Sequence, residues 1–390
     1  MPERAGVCGV SMSDAETSVT ETIAPAATIV TAAPPAKRSR NRIESIHNLR
    51  GLASLAVLFD HLVATPYVAA PAAVAAIGIL GNYGVTVFFF ISGFVLPYSL
   101  QKSNYRIQDF PMFIARRFVR VDPPFFVVVG LTLLLNVLLG VVKNTPYHID
   151  WLQVFAHVAY IAPLLHKPWL LSVFWTLCTE FQFYITIGLI FPILARYPIP
   201  IAIACAACMW LYVPGYFPTD RLPLGEREII FAYLPSFMVG MATFLYREKL
   251  VKFPTFAVAI AISVVALFFK APIDISIVAL ITIVVVIFAS FYNVVLDYFG
   301  KISYSLYLIH LLVILGILPV FHRFGLPWYV MMVIGGGISI GAATLIYHFV
   351  EGPALAMSKR LRLKPRPTPP KRDSQAALEL DAIPQVGKAN

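Results

Sequence analysis

Long apolar stretches dominate the chain, and proline, glycine or charged residues separate most of them. Ten stretches are predicted to be membrane-spanning helices, because most contain 16 to 25 residues, which suits a helix and exceeds a barrel strand. They cover residues 48–68, 79–100, 121–142, 170–195, 199–213, 229–246, 254–269, 273–293, 302–321 and 328–350. The fifth and seventh are short and are expected to be tilted, capped by interfacial residues or partly re-entrant. The pattern predicts an all-α integral membrane protein, a bundle of about ten helices.

The less apolar segments complete the predicted topology. Residues 147–168 are only moderately apolar and are predicted to form an amphipathic external loop. If both termini are cytoplasmic, the inside segments together with Arg50 hold 24 of the 30 lysines and arginines, as the positive-inside rule requires. We therefore predict a disordered cytoplasmic segment over 1–41, a transmembrane domain over 42–357 and a basic disordered cytoplasmic tail over 358–390.

Composition narrows the class of protein. The chain is 59% hydrophobic and only 13% charged, with a net charge of +10. Its cations are expected to lie against anionic lipid headgroups, so a bilayer is the predicted partner and nucleic acid is not. Cys8, Cys178, Cys205 and Cys208 give no disulfide framework. The C-x-x-C formed by the last two lies in an apolar run with no second ligand pair, so helix packing is favoured and no metal is expected.

Two ionisable residues of the first predicted span share one helix face. Arg50 and His61 are eleven residues apart, which is three turns plus about 20° and about 16 Å along a helix axis. Ionisable groups inside a bilayer are costly and usually functional. We expect an arginine near the membrane surface and a histidine near mid-bilayer to line one path. The alternative is a snorkelling arginine and a histidine that bonds within the bundle.

A cluster of arginines precedes the third predicted span. Arg116, Arg117 and Arg120 are three or four residues apart, so a helix would present them together. Guanidinium groups bind phosphates through paired hydrogen bonds. With Arg50 on the same side, they predict an anion pocket at the cytoplasmic mouth for a phosphate-bearing cofactor. The alternative is ordinary anchoring by the positive-inside rule.

Three further ionisable residues are expected to be buried: Asp60, Glu180 and His310. A carboxylate can fix the tautomer of a histidine or raise its basicity, but the sequence does not tell whether either carboxylate reaches His61. Each of the three could instead be a structural hydrogen-bond partner between helices. Ser92 is interpreted as a packing residue, because no base is identifiable beside it.

Taken in order, these motifs resemble those of the membrane acyltransferase type 3 family. The matching segments are R-x10-H at 50–61, GVTVFFFISG at 84–93, R-x-x-R at 117–120, WTLCTEFQFY at 175–184, YSLYLIH at 304–310 and YHFVEGP at 347–353. The resemblance covers roughly residues 42–357. It departs at His47, where the family often has an aspartate.

The resemblance implies an O-acyltransferase of the inner (plasma) membrane that transfers acyl groups other than aminoacyl groups. Its acyl donor would be acetyl-CoA, and its acceptor a hydroxyl of a carbohydrate or glycolipid such as exopolysaccharide or lipopolysaccharide. The donor phosphates would bind Arg117 and Arg120, with Arg116 and Arg50 as further candidates. His61 would act as general base or carry the acyl group itself.

The remaining candidates have less definite roles. Glu180 would orient a catalytic group or the acceptor, and further substrate-binding or structural candidates are Asp60, Trp175, Tyr304 and His310. A transporter or flippase for lipid-linked sugars is the alternative function. Against it, the sequence contains no recognisable inverted repeat and no corresponding pair of broken spans.

Overall fold

The computed structural model describes residues 37–211, 230–270, 273–288 and 292–361, and every regular element in these ranges is helical. The predicted terminal segments thus lie almost entirely outside the described residues. The α-helices are α1 (Lys37–Ala64), α2 (Ala72–Ile79), α3 (Tyr83–Lys102), α4 (Phe110–Val142), α5 (Trp151–Val158), α6 (Phe174–Leu194), α7 (Pro198–Leu211), α8 (Leu234–Arg247), α9 (Phe253–Lys270), α10 (Ile273–Phe288), α11 (Val294–His322), α12 (Trp328–Ile346) and α13 (Gly352–Arg360). A π-helical stretch, Tyr347–Glu351, joins the last two.

Several helices are long and apolar enough to cross a membrane. Within the described residues five stretches meet this condition: Ala72–Lys102, Ile107–Val142, Phe174–Leu194, Val294–His322 and Trp328–Arg360. The predicted all-α membrane fold is confirmed. Every one of the ten predicted spans overlaps a helix, but the number of spans and the side of the termini stay predictions.

The start of α4 differs from the predicted third span. The helix begins at Phe110, with Pro111 in its first turn, where a missing N–H costs nothing. Arg116, Arg117 and Arg120 therefore lie inside the helix and not before it. The span was predicted to begin after these charged residues. In the structure they lie within α4, with their side chains towards the bundle or its surface, and they do not interrupt the helix.

Two apolar clusters form the core on either side of the polar residues. One is built around α3 and α8 and contains Phe90, Phe183 and Phe237. The other is built around α11 and contains Phe125 and Leu306. Helix α3 of the first cluster and α11 of the second both line the cavity described below.

Helix α1, which carries Arg50 and His61, packs very closely against α11. A Cβ atom on Gly51 would lie 2.2 Å from the carbonyl oxygen of Leu296, and one on Gly300 would lie 2.2 Å from the carbonyl oxygen of His47. Backbone meets backbone at both positions, so neither residue can carry a side chain without moving a helix.

The same two helices meet again further along. Ten residues beyond Gly51 and Gly300, the rings of His61 and His310 lie 4.9 Å apart in an edge-to-face contact. From the glycine contact to the histidine contact the residue number rises by ten on both helices, so α1 and α11 run parallel. The spacing between Arg50 and His61 is therefore held by a continuous helix that is fixed against a partner at both levels.

Gly51→Ala is expected to destabilise the protein by about 1–3 kcal/mol, because the added methyl group forces two backbones apart. Gly337→Ala is the matched control, since a Cβ atom there meets nothing within 4 Å and alanine favours a helix. Thermal unfolding in detergent would compare the two variants. Equal unfolding temperatures would contradict the close α1–α11 contact.

The segment between α4 and α6 folds around α5. Asp150 caps this helix, since its Oδ1 accepts from the Gln153 amide at 3.1 Å and its Oδ2 accepts from Lys167 Nζ at 2.6 Å. The lysine bond first, and then the amide bond, lower the pKa of the Asp150 carboxyl. The predicted amphipathic loop thus contains a short, capped helix.

His157 connects α5 with Leu170, near the end of this segment that leads to α6. Its Nδ1–H donates to the Gln153 carbonyl at 2.8 Å, and its Nε2 accepts from the Leu170 amide at 3.1 Å. Burial lowers the pKa of His157 below its ordinary value of 6.5. The neutral ring therefore contributes stability in full above about pH 6.5, and this is lost as the pH falls through the lowered value.

Acidification from about pH 8 to pH 5 is expected to loosen the segment, because a protonated Nε2 cannot accept from Leu170. Hydrogen exchange of the Leu170 amide should accelerate as the pH is lowered, after correction for the intrinsic exchange rate. His157→Gln should make exchange fast at every pH, whereas His148→Gln, at an exposed loop histidine, should behave like the wild type. Wild-type protection that does not change with pH would contradict the role of His157.

Candidate active site

A cavity of about 110 Å³ lies between α1, α3, α4, α6 and α11 and is completed by the π-helical stretch. One wall comes from α3 and is mainly apolar, with Val85, Phe89 and Val95 among its side chains. The facing walls carry charge, contributed by Arg50, Arg117, Arg120, Glu180 and Glu351. Such a cavity suits a ligand with an anionic part and an apolar arm.

Three of the four arginines expected to bind an anion line this cavity: Arg50, Arg117 and Arg120. Arg116 does not, because it neighbours Arg117 on α4 and points about 100° away. Within the part of the chain that the structure describes, none of the three cavity guanidinium groups forms an ion pair. The Nε atom of Arg50 is buried without a hydrogen-bond partner there. No close ion pair within the described ranges therefore occupies these guanidinium groups.

Two glutamates share the cavity with these arginines. Ser92 donates its hydroxyl hydrogen to Oε1 of Glu180 at 3.2 Å. Glu351 lies on the π-helical stretch, and its Oε2 accepts from the hydroxyl of Ser305 at 2.6 Å and from its amide at 3.3 Å. With both carboxylates ionised, the three guanidinium groups leave one net positive charge. The cavity favours an anion.

The hydrogen bond of His61 identifies its basic nitrogen. Nδ1 lies 3.0 Å from the carbonyl oxygen of Val57, and a carbonyl only accepts, so Nδ1 carries the hydrogen. The lone pair of the neutral ring is therefore on Nε2, where it can take a proton or attack a carbonyl carbon. The side chain is 28% exposed, so a substrate can reach it.

Two other predicted ionisable residues, Asp60 and His310, lie close to His61. Oδ2 of Asp60 is 3.9 Å from Nδ1 of His61, which is too long for a hydrogen bond but close enough to stabilise a protonated ring. His310 is 1% exposed, and its Nδ1–H donates to the Leu306 carbonyl at 3.0 Å. Its Nε2 has no hydrogen-bond partner among the described residues.

His61 and His310 lie beside the arginine cavity and do not line it. Tyr307 lies between the cavity and the histidine pair, because it lines the cavity and its ring lies 5.8 Å from that of His310. The predicted residues thus form two groups, an anion-binding cavity and a histidine pair.

Comparison with known proteins decides the class. A family model described as an acyltransferase domain matches residues 43–348, more than three quarters of the chain. The chain belongs to the acyltransferase type 3 family.

The matched range of this acyltransferase family contains the arginines, Glu180 and both histidines, and Glu351 lies three residues beyond it. A relative named acyltransferase MdmB, from Streptomyces mycarofaciens, is 27% identical over 209 residues, covering 47% of this chain. The alignment spans 51% of that relative. No solved structure matches the chain. The chain thus belongs to an acyltransferase family and has helices long and apolar enough to cross a membrane.

The last two predicted site residues differ in position. Tyr304 lines the cavity, and its hydroxyl donates to the Val121 carbonyl at 2.7 Å. Trp175 lies behind the cavity wall, with its ring 5.4 Å from that of Tyr233 and 6.3 Å from that of Phe89. Trp175 therefore supports the wall and does not face the cavity.

Six polar cavity residues were not predicted as site residues: Ser92, Thr176, Tyr184, Ser303, Tyr307 and Glu351. A signal existed for Glu351, because YHFVEGP places a carboxylate at the end of an apolar stretch. Ser92 could not be assigned from sequence, since its partner Glu180 is 88 residues away.

Proposed function

We propose that this membrane acyltransferase transfers a short acyl group, acetyl by default, from acyl-CoA to a hydroxyl of a carbohydrate or glycolipid acceptor. The acceptor class includes exopolysaccharide and lipopolysaccharide. On this proposal residues 42–357 form the catalytic domain, and the protein is a multi-pass component of the plasma membrane.

One observation carries the proposal: Arg50, Arg117 and Arg120 converge on a single cavity with no ion-pair partner among the described carboxylates. Three guanidinium groups around a confined space suit phosphate oxygens, which each group can bind with two hydrogen bonds. CoA supplies such phosphates at one end and a thioester at the end of a long arm. The apolar wall from α3 suits that arm.

In the proposed reaction, Nε2 of His61 takes the proton from the acceptor hydroxyl. The hydroxyl oxygen then attacks the thioester carbon, so a C–O bond forms, the C–S bond breaks and the proton passes from His61 to the CoA thiolate. Asp60 stabilises the ring while it is protonated, from 3.9 Å away. An alternative route first forms an acyl-histidine at Nε2, which releases CoA before the acceptor reacts.

The test uses membranes that contain the chain and matched membranes that lack it. Both are incubated with radiolabelled acetyl-CoA and a polysaccharide or glycolipid extract, and label is followed into acceptor and into protein. Chain-dependent transfer to a hydroxyl supports the proposal, and label on the protein favours the acyl-histidine route. Movement of a labelled lipid-linked sugar across the membrane, with no release of CoA, would instead support a transporter.

A further inference from the structure

Tyr307 separates the two groups of residues on which the proposed function depends. Tyr304, Tyr307 and His310 follow each other in steps of three residues on α11, and each step advances about 4.5 Å along the helix. Tyr304 and Tyr307 line the arginine cavity, and His310 lies outside its lining in contact with His61. Tyr307 is the cavity residue whose ring contacts His310, so it lies between a thioester held at the arginines and the histidine pair.

A hydrogen bond holds Tyr307 across this passage. The Thr176 hydroxyl lies 2.8 Å from the Val173 carbonyl, which can only accept, so its hydrogen points there. The 2.7 Å contact between the Thr176 and Tyr307 hydroxyls is therefore donated by Tyr307. This bond links α11 to α6 across the edge of the cavity.

An aromatic side chain completes the barrier. Phe88 of α3 packs edge-to-face against Tyr307, with ring centroids 6.0 Å apart. Three helices thus meet at the boundary, and the hydrogen bond between Tyr307 and Thr176 is its polar element. A single neutral hydrogen bond is weak enough for acceptor binding to break it.

We propose that Tyr307 is a positioning residue that closes the cavity towards His61 through its bond to Thr176 while acyl-CoA is bound alone, and opens when the acceptor binds beside His61. This inference rests on the proposed function. Closure keeps water that enters beside His61 away from the thioester. Without closure, water attacks the thioester carbon: a C–O bond forms, the C–S bond breaks, and the products are a carboxylic acid and CoA.

The test compares Tyr307→Phe, Thr176→Val and the double variant. The two readouts are hydrolysis of acetyl-CoA without acceptor and transfer with acceptor. Each single variant is expected to raise the ratio of hydrolysis to transfer about tenfold, because each removes the same hydrogen bond. The double variant should show no further increase, since the bond is already lost.

Tyr298→Phe provides a matched control. Tyr298 is also on α11, and its hydroxyl lies 2.7 Å from that of Thr344, so the variant removes a tyrosine–threonine bond of equal length away from the cavity. It should leave both readouts at wild-type values. Wild-type ratios in both single variants, or a double variant whose effect is the product of the two, would overturn the inference. Absence of transfer by the wild type would instead overturn the proposed function.

Discussion

His61→Ala is expected to lower the rate of acyl transfer at least about 100-fold, the contribution of a positioned general base. Its Nδ1–H is held by the Val57 carbonyl, so Nε2 is the nitrogen that reacts, and alanine removes it. The loss should appear mainly in kcat, because the donor phosphates bind to arginines elsewhere. Initial rates at saturating acetyl-CoA, with equal amounts of folded protein, measure it.

His322→Ala is the matched control. The Nδ1–H of His322 also donates to a backbone carbonyl, that of Tyr67 at 3.0 Å, but this histidine ends α11, is exposed and lies away from the cavity. Its variant should keep wild-type activity. Asp60→Asn should fall between the two, because it removes the charge near the protonated ring and leaves Nε2 in place. A His61→Ala variant that retains wild-type kcat would exclude His61 as base and as acyl carrier.

Arg117→Gln is expected to raise KM for acetyl-CoA about 10–100-fold, since a charge-assisted hydrogen bond to phosphate contributes about 1.5–3 kcal/mol. The guanidinium group of Arg117 lies over the rings of Phe113 and Tyr184, 5.4 and 5.7 Å from their centroids, which fixes its direction. Titration of donor concentration at constant acceptor measures the effect.

Arg116→Gln controls for charge, because it removes the same charge one residue away on the same helix, outside the cavity. Its KM should stay within about twofold of the wild-type value, as expected for a charge that does not contact the ligand. Equal increases in the two variants would point to a general surface potential and against a built phosphate site.

The sequence predicted the parts of the site that one helix can determine. Arg50 and His61 share a continuous helix, so their common face and spacing follow from helix geometry alone. The separation of Arg117 from Arg116 could not be predicted in the same way. Helical periodicity separates neighbours by 100°, but only the packing of α4 against other helices decides which side faces the cavity.

Contacts between distant segments could not be predicted. Ser92 was interpreted as a packing residue because no base is identifiable beside it in the sequence, yet it donates to Glu180 on α6. Similarly, Tyr307 and Thr176 are 131 residues apart, and nothing in their local patterns indicates that they meet. The π-helical stretch that brings Glu351 to the cavity depends on backbone bonding that composition does not show.

The predicted boundaries of the spans followed the hydropathy of the sequence, and one of them differs from the helix in the structure. The third span was predicted to begin at 121, just after the arginines, whereas α4 begins at Phe110 and includes them. Its arginines border a polar cavity, which lowers the cost of their charge in a bilayer. The helical character of the described spans could be predicted from the sequence. The start of α4 could not, because it depends on what the charged side chains contact.

The continuous helix between Arg50 and His61 fixes the distance that the acyl donor must span. Its contact with α11 at Gly51 prevents the helix from sliding, so the two residues stay about 16 Å apart along the axis. Under the proposed function, an acyl phosphate would bind to the arginines, but its acyl carbon would stop three turns short of His61. Small acyl phosphates should therefore compete with acyl-CoA as inhibitors and fail as donors, so the length of the donor's arm becomes the basis of its selection.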